Sequence, residues 1–152
     1  MIASGGGKVA ADCIFCKIVS REAPGEILYE TDQVLAFLDI APVSRGHALV
    51  IPKVHYETIF DFPAALGEDI ITAMQLVGKA VMRATGGTGL NVGQNNFRDA
   101  WQLVDHVHWH IIPRFAGDGL TLWPPQGYDS PEQMVLLGRN IRARITEGKT
   151  EV

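Results

Sequence analysis

Three histidines at alternate positions, in His106-Val107-His108-Trp109-His110-Ile111-Ile112-Pro113-Arg114, are the side chains in this sequence best suited to chemistry. Alternation with bulky apolar residues is the period of a β-strand with one buried and one wet face. Val107, Trp109 and Ile111 then point into a core. The imidazoles stand in a row on the opposite face, spaced about 6.5 to 7 Å apart at a rise of roughly 3.3 Å per residue. Each free ring titrates near ~6.5 and like charges repel, so crowding three of them is costly unless they have a job. Two chemistries fit. The row could ligate a metal, or one ring could act as a nucleophile while its neighbours handle protons and phosphate oxygens.

A second cluster opens the ordered part of the chain, Asp12-Cys13-Ile14-Phe15-Cys16-Lys17-Ile18. Cys-x-x-C reads as a redox pair, half of a zinc site, or two buried thiols. The flanks lack the strand-to-helix context that a redox pair wants. A zinc site needs two more ligands, and His55 and His106 are the available donors if the remaining histidines serve a phosphate site. Asp39 ends an apolar strand; it is either a solvated turn residue or an acceptor for sugar hydroxyls.

The elements that must position these groups follow from turn residues and periodicity. Ile27 to Glu30 and Val34 to Asp39 read as strands joined by Thr31-Asp32-Gln33, and His47 to Pro52 as a third strand stopped by proline. Glu57 to Phe62 reads as a short helical turn or loop. From Ala64 to Ala84, Leu66, Ile70, Met74, Val77 and Val81 form the apolar stripe of a long helix facing a sheet. Gly86-Gly87-Thr88-Gly89 ends that helix and lacks the context of a phosphate loop. Leu90 to Gln94 is a fourth strand, Asn95 to Trp101 a polar loop, and the histidine stretch a fifth strand. Ser130-Pro131-Glu132 starts a helix to about Ile145, with Met134, Leu137 and Ile141 on one side. The reading is α+β: residues 1–11 a disordered tail, 12–146 one domain, 147–152 a flexible end.

The composition limits the classes of function. With 152 residues and 47% hydrophobic content the chain can bury one core. A net charge of −4 argues against a general binder of nucleic-acid polymer. No apolar run approaches the ~20 residues of a membrane span. The glycine-rich start lacks a signal-peptide h-region, so the expected compartment is the cytoplasm.

The H-φ-H-φ-H-φ-φ pattern of His106 to Ile112 resembles the signature of the histidine-triad (HIT) family of nucleotide hydrolases and transferases. Cys13 to Ile18, Leu35 to Ile40, Gly46 to Lys53 and Ile112-Pro113-Arg114 resemble its bacterial members in order and spacing. The resemblance implies a five-stranded antiparallel sheet with helices on one face, in a homodimer, acting on a purine nucleotide, AMP-like substrate. It implies that His108 attacks the α-phosphorus, that His110 and His47 contact phosphate oxygens and assist the leaving group, and that Asn95 and Gln102 are amide donors to the phosphates. Asp39 is implied at the ribose, and Ile14, Phe15, Ile18, Phe37 and Leu49 at the base. Cys13, Cys16, His55 and His106 match the ligands of a structural zinc (Zn) in related proteins.

This chain departs from the family at three places. Trp101 replaces the glycine of Ala-Gly-Gln, putting a large ring beside the phosphate site. Leu103 stands where phosphoramidase-type members carry a serine, which argues against that leaving group. Trp123-Pro124-Pro125 resembles the tail of those members, but a further helix follows. Two competing readings remain: a nucleotide-binding scaffold with vestigial chemistry, and a catalytic metal on the histidine row.

Overall fold

The structure, a computed structural model, describes residues 12–121 and 123–149. The tail expected over 1–11 lies outside these residues. Five strands, β1 (Ile27–Glu30), β2 (Val34–Leu38), β3 (Ala48–Pro52), β4 (Gly89–Gln94) and β5 (Trp109–Arg114), form one sheet in the order β1-β2-β3-β5-β4. Every neighbouring pair is antiparallel. The three helices are α1 (Ile14–Val19), α2 (Gly67–Thr85) and α3 (Pro131–Lys149).

The central strands show why both sheet faces are covered. In β2 and β3, Val34, Ala36, Ala48 and Val50 point to one face and pack with Ile111 of β5 against Ile70, Ala73, Val77 and Val81 of α2. Leu35, Phe37, Leu49 and Ile51 point to the other face and pack against Phe15 and Ile18 of α1. Both strands are therefore apolar runs rather than alternating ones, as a strand buried on two sides requires. α2 approaches its face closely at Gly78, where an added Cβ would lie 2.8 Å from Leu90 Cδ2.

Several expectations are corrected at the edges of elements. α1 was not foreseen, and it covers the face expected to be wet, so the helices do not all lie on one side of the sheet. The long helix starts at Gly67 after a single 3-10 turn over Ala64–Leu66, and Ala73 and Gly78 join its buried stripe while Leu66 does not. Residues 57–62 form a loop with a turn at 59–61, one of the two forms expected, and Arg98–Ala100 forms a 3-10 turn inside the polar loop. β2 stops at Leu38 and β3 begins at Ala48, which leaves Asp39 and His47 just off the strand ends. The fifth strand begins at Trp109, not His106, so the first two histidines of the row lie on the segment leading into it.

The chain divides into two compact units, one ending at Asp118 and one beginning at Gly119. In the second unit α3 runs to Lys149, beyond the expected end near Ile145, and its Met134, Leu137 and Ile141 are exposed. No helix among the described residues is long and apolar enough to cross a membrane.

Candidate active site and metal centre

The segment entering β5 carries its histidines on the α1 face of the sheet, with Val107 buried and Trp109 packed on the α2 side. Val107 N–H donates to the Tyr56 carbonyl at 2.7 Å, which fixes the approach to the strand. Phe15 of α1 meets both His106 and His108 edge-on, with ring centroids 5.9 and 5.2 Å apart. The rings of His108 and His110 are 4.9 Å apart, closer than an even strand spacing predicts. The row is not wet: His106 and His108 are buried and His110 is half-buried.

Burial answers the charge problem that the sequence poses. It pushes the pKa of His106 and of His110 down to about 4, with neighbouring histidines adding to the effect. It also lowers His108 and His47, against the pull of Asp39 in the opposite direction. Four neutral rings can share this space where four cations could not.

The partners of each ring then fix its tautomer. His108 Nδ1–H donates to the His106 carbonyl at 2.6 Å, which leaves the Nε2 lone pair of His108 uncommitted. Val43 N–H donates to His47 Nδ1 at 3.2 Å, so His47 carries its proton on Nε2 and donates to His110 Nδ1 at 2.9 Å. His110 therefore presents an Nε2–H donor. A lone pair and an N–H donor on adjacent rings are what a nucleophile and its oxyanion partner require.

Asp39 lies beside this pair. Its Oδ1 accepts Ala41 N–H at 2.8 Å, and its Oδ2 is 3.6 Å from His47 Nδ1. Of the five side chains expected around the base, Phe15, Ile18, Phe37 and Leu49 share one buried cluster, while Ile14 is 46% exposed. Asn95 is half-buried, and its carbonyl accepts a bond from Gln94. Gln102 is buried and committed to the backbone: Phe97 N–H donates to its Oε1 at 2.8 Å, and its Nε2 donates to the Glu57 carbonyl at 2.6 Å. In this arrangement Gln102 ties two loops together. The Val43 N–H, the Pro52 carbonyl and the 56–57 backbone are site components that no side-chain pattern could reveal.

A second centre sits behind the row. Cys13, Cys16, His55 and His106 bring one donor atom each within 4.8 Å of one another. Cys13 Sγ is 3.5 Å and Cys16 Sγ 3.7 Å from His106 Nδ1, and Cys16 Sγ is 3.4 Å from His55 Nδ1. Tetrahedral zinc, about 2.3 Å from sulfur and about 2.05 Å from nitrogen, puts such atoms roughly 3.6 Å apart. His106 Nε2–H donates to the Pro52 carbonyl at 2.9 Å, which leaves Nδ1 free as a ligand atom, the outer bond that a metal-binding imidazole wants. The four residues fit a metal, and His106 turns Nδ1 to the thiols and Nε2 to the Pro52 carbonyl.

A family model for the HIT domain matches residues 20–117. The chain belongs to the HIT family. Over 134 residues it is 46% identical to adenosine 5'-monophosphoramidase of Schizosaccharomyces pombe, covering 88% of this chain and 98% of that protein. The crystal structure of a HIT family protein from Bacillus subtilis matches with a TM-score of 0.80 and 38% identity, covering 88% of this chain and 96% of the other. A zinc-bound histidine triad family protein from Mycobacterium smegmatis matches with a TM-score of 0.62 and 35% identity over 93% of this chain and 98% of that one. The HIT domain falls within the first compact unit, where all of the site residues lie.

Proposed function

We propose that this HIT protein is a nucleotide hydrolase or nucleotidyltransferase that attacks the α-phosphate of an adenosine-type nucleotide with His108 Nε2. The observation that carries the reading is the 2.6 Å bond from His108 Nδ1–H to the His106 carbonyl, which fixes the tautomer with its lone pair on Nε2. As the Nε2–P bond forms, the bond from phosphorus to the leaving group breaks and the leaving group takes up a proton from solvent, which the attacking water returns in the second step. Water then cleaves the Nε2–P bond, releasing the nucleoside monophosphate and restoring neutral His108. His110 Nε2–H, held by His47, donates to a phosphate oxygen as its charge grows, and the His47–His110 pair needs no net charge to do so. Splitting the transfer into two displacements lowers the barrier of each. The name of the Schizosaccharomyces pombe relative, which matches nearly end to end, supports an AMP-type substrate.

In this reading Asp39 accepts the ribose hydroxyls and the base lies against Ile14 and the Phe15–Ile18–Phe37–Leu49 cluster. Asn95 and Gln102 act at the phosphate end, Gln102 through the loops it ties. Cys13, Cys16, His55 and His106 hold a structural zinc, which ties α1 to the sheet and takes no part in the transfer. The zinc-bound Mycobacterium smegmatis relative supports that metal. A homodimer through β4 and α2 is supported by their outward side chains, Val92, Ile71 and Leu76, each at least half exposed.

The test is His108→Ala assayed with adenosine 5'-phosphoramidate and adenylylated substrates. Turnover is expected to vanish while AMP binding stays within a few-fold. Persistent turnover overturns the mechanism, and a wild-type protein that binds AMP but turns over none of these substrates is a nucleotide-binding scaffold.

A further inference from the structure

Three non-glycine residues among those described have positive φ, and two of them fall in the segment joining β4 to the histidine strand. They are Phe97 (φ 69°, ψ 163°) and Trp101 (φ 70°, ψ 29°). The first conformation is one that glycine alone adopts readily, and the second is strained for a bulky side chain. Neither ring repays its strain by packing in the core. Phe97 is 61% and Trp101 79% exposed, as is Phe60 at 76%. Phe60 and Phe97 stack on each other, with centroids 6.0 Å apart and planes 16° from parallel.

The backbone that carries the rings is nonetheless tied down. Gln102 bridges Phe97 N–H and the Glu57 carbonyl, and Ile59 N–H donates to Asn96 Oδ1 at 2.8 Å. Trp101 N–H and Gln102 N–H donate to the carbonyls of Arg98 and Phe97. The same pair of loops fixes the entry to β5 through the Tyr56 carbonyl. Strained residues on a tied backbone, whose rings face solvent on the loops that also fix the approach to β5, are arranged for contact with something other than this domain's core.

We propose that Phe60, Phe97 and Trp101 form a stacking ledge that selects α-phosphate substrates whose leaving group is planar and aromatic. The proposal rests on His108 as the nucleophile. The nucleoside is assigned to Asp39 and the α1 cluster, at the β2–β3 side of the row. The loops flanking β4 and the start of β5 remain for the group that departs. Aromatic faces bind planar partners by stacking without reading hydrogen bonds, so an indole and a second nucleobase both suit them.

The experiment compares kcat/KM for three adenosine substrates: a tryptamine phosphoramidate, an ethylamine phosphoramidate and diadenosine triphosphate. Wild type is set beside Phe97→Gly, Trp101→Gly and the double variant, with sedimentation and melting curves for each. Glycine suits both backbone positions, so the variants are expected to fold and to melt no lower than wild type. The aromatic-to-ethyl preference is expected to fall about tenfold in the double variant, a change of roughly 1.4 kcal/mol. Loss on tryptamine alone assigns the ledge to indole-like groups, and loss on the dinucleotide alone assigns it to bases. An equal fall on all three substrates, or none, overturns the ledge. A change of oligomeric state makes these rings a subunit interface and also overturns it. Wild type turning over none of the three removes the His108 reading instead, and the ledge with it.

Discussion

Replacing Cys16 by serine is expected to release α1 without unfolding the sheet. α1 is six residues long and has no side-chain cap at its N-terminus, so it cannot persist alone. Its packing rests on Phe15 and Ile18, 6% and 7% exposed, worth roughly 3–6 kcal/mol together at about 1.5–3 kcal/mol for each buried side chain. Ordering six residues costs roughly 6–12 kcal/mol at about 1–2 kcal/mol each. Packing alone therefore falls short by several kcal/mol, and a metal tie through Cys13, Cys16, His55 and His106 is well able to supply the difference. The large α2-side core is expected to stay intact in the variant, because it lies on the sheet face opposite α1. The assay is amide exchange with and without a strong chelator, alongside metal content of the purified protein. Protection over residues 14–19 is expected to vanish in Cys16→Ser and in chelator, while β2, β3 and β5 stay protected. AMP affinity is expected to fall with it, since Phe15 packs on His108. Undisturbed protection of α1 after metal removal would refute the reasoning, as would protein that is fully folded yet carries no stoichiometric metal.

Gln102→Leu keeps the volume but strips both loop bonds, and should cost about 1–3 kcal/mol in urea unfolding and lower kcat/KM; unchanged stability would show that water replaces the bonds. Gly46→Ala forces a Cβ to 2.7 Å from Thr85 Cγ2 at φ 95°, and is expected to lose about 1–3 kcal/mol by thermal melting and to impair turnover by displacing the adjoining His47. His110, neutral in the fold with its pKa held at about 4 against an ordinary 6.5, contributes stability above pH 6.5 that is lost as pH falls toward 4, because the unfolded chain binds the proton first. In His110→Asn the melting temperature should depend less steeply on pH across that window; an identical slope would mean that another group carries the effect.

The sequence made legible whatever depended on side-chain type at short range. β1 begins and ends where the turn residues place it, and the Cys-x-x-C finds the two histidines named for it. α1 escaped because six residues show no helical period, although the unbroken apolar runs of β2 and β3 require a cover on each face. The histidine strand is three residues shorter than its alternation: the pattern continues through His106 and His108, but that segment pairs with the Tyr56 carbonyl and not with a strand. Gln102 illustrates the harder limit. Its type says donor and acceptor, but only the fold shows that both ends are taken by backbone groups of two distant loops.

The three imidazoles of the row are chemically identical and two residues apart, yet they are not interchangeable, and the difference lies in what meets each Nδ1. At His106 it is a pair of thiols, which suits that ring to hold a metal with them. At His108 it is a carbonyl, which accepts the bond from Nδ1–H and leaves the lone pair on Nε2. At His110 it is the N–H of His47, which forces the proton onto the far nitrogen. A β-segment supplies the even spacing, but the roles come from three separate chain segments brought to its side: α1 with the Cys pair, the segment's own backbone, and the turn before β3. Burial favours the neutral form of each ring, so the direction of its lone pair and N–H, rather than its charge, distinguishes one ring from the next. Moving any one histidine by a residue would turn it to the α2 face and lose the partner that sets which of its nitrogens carries the proton.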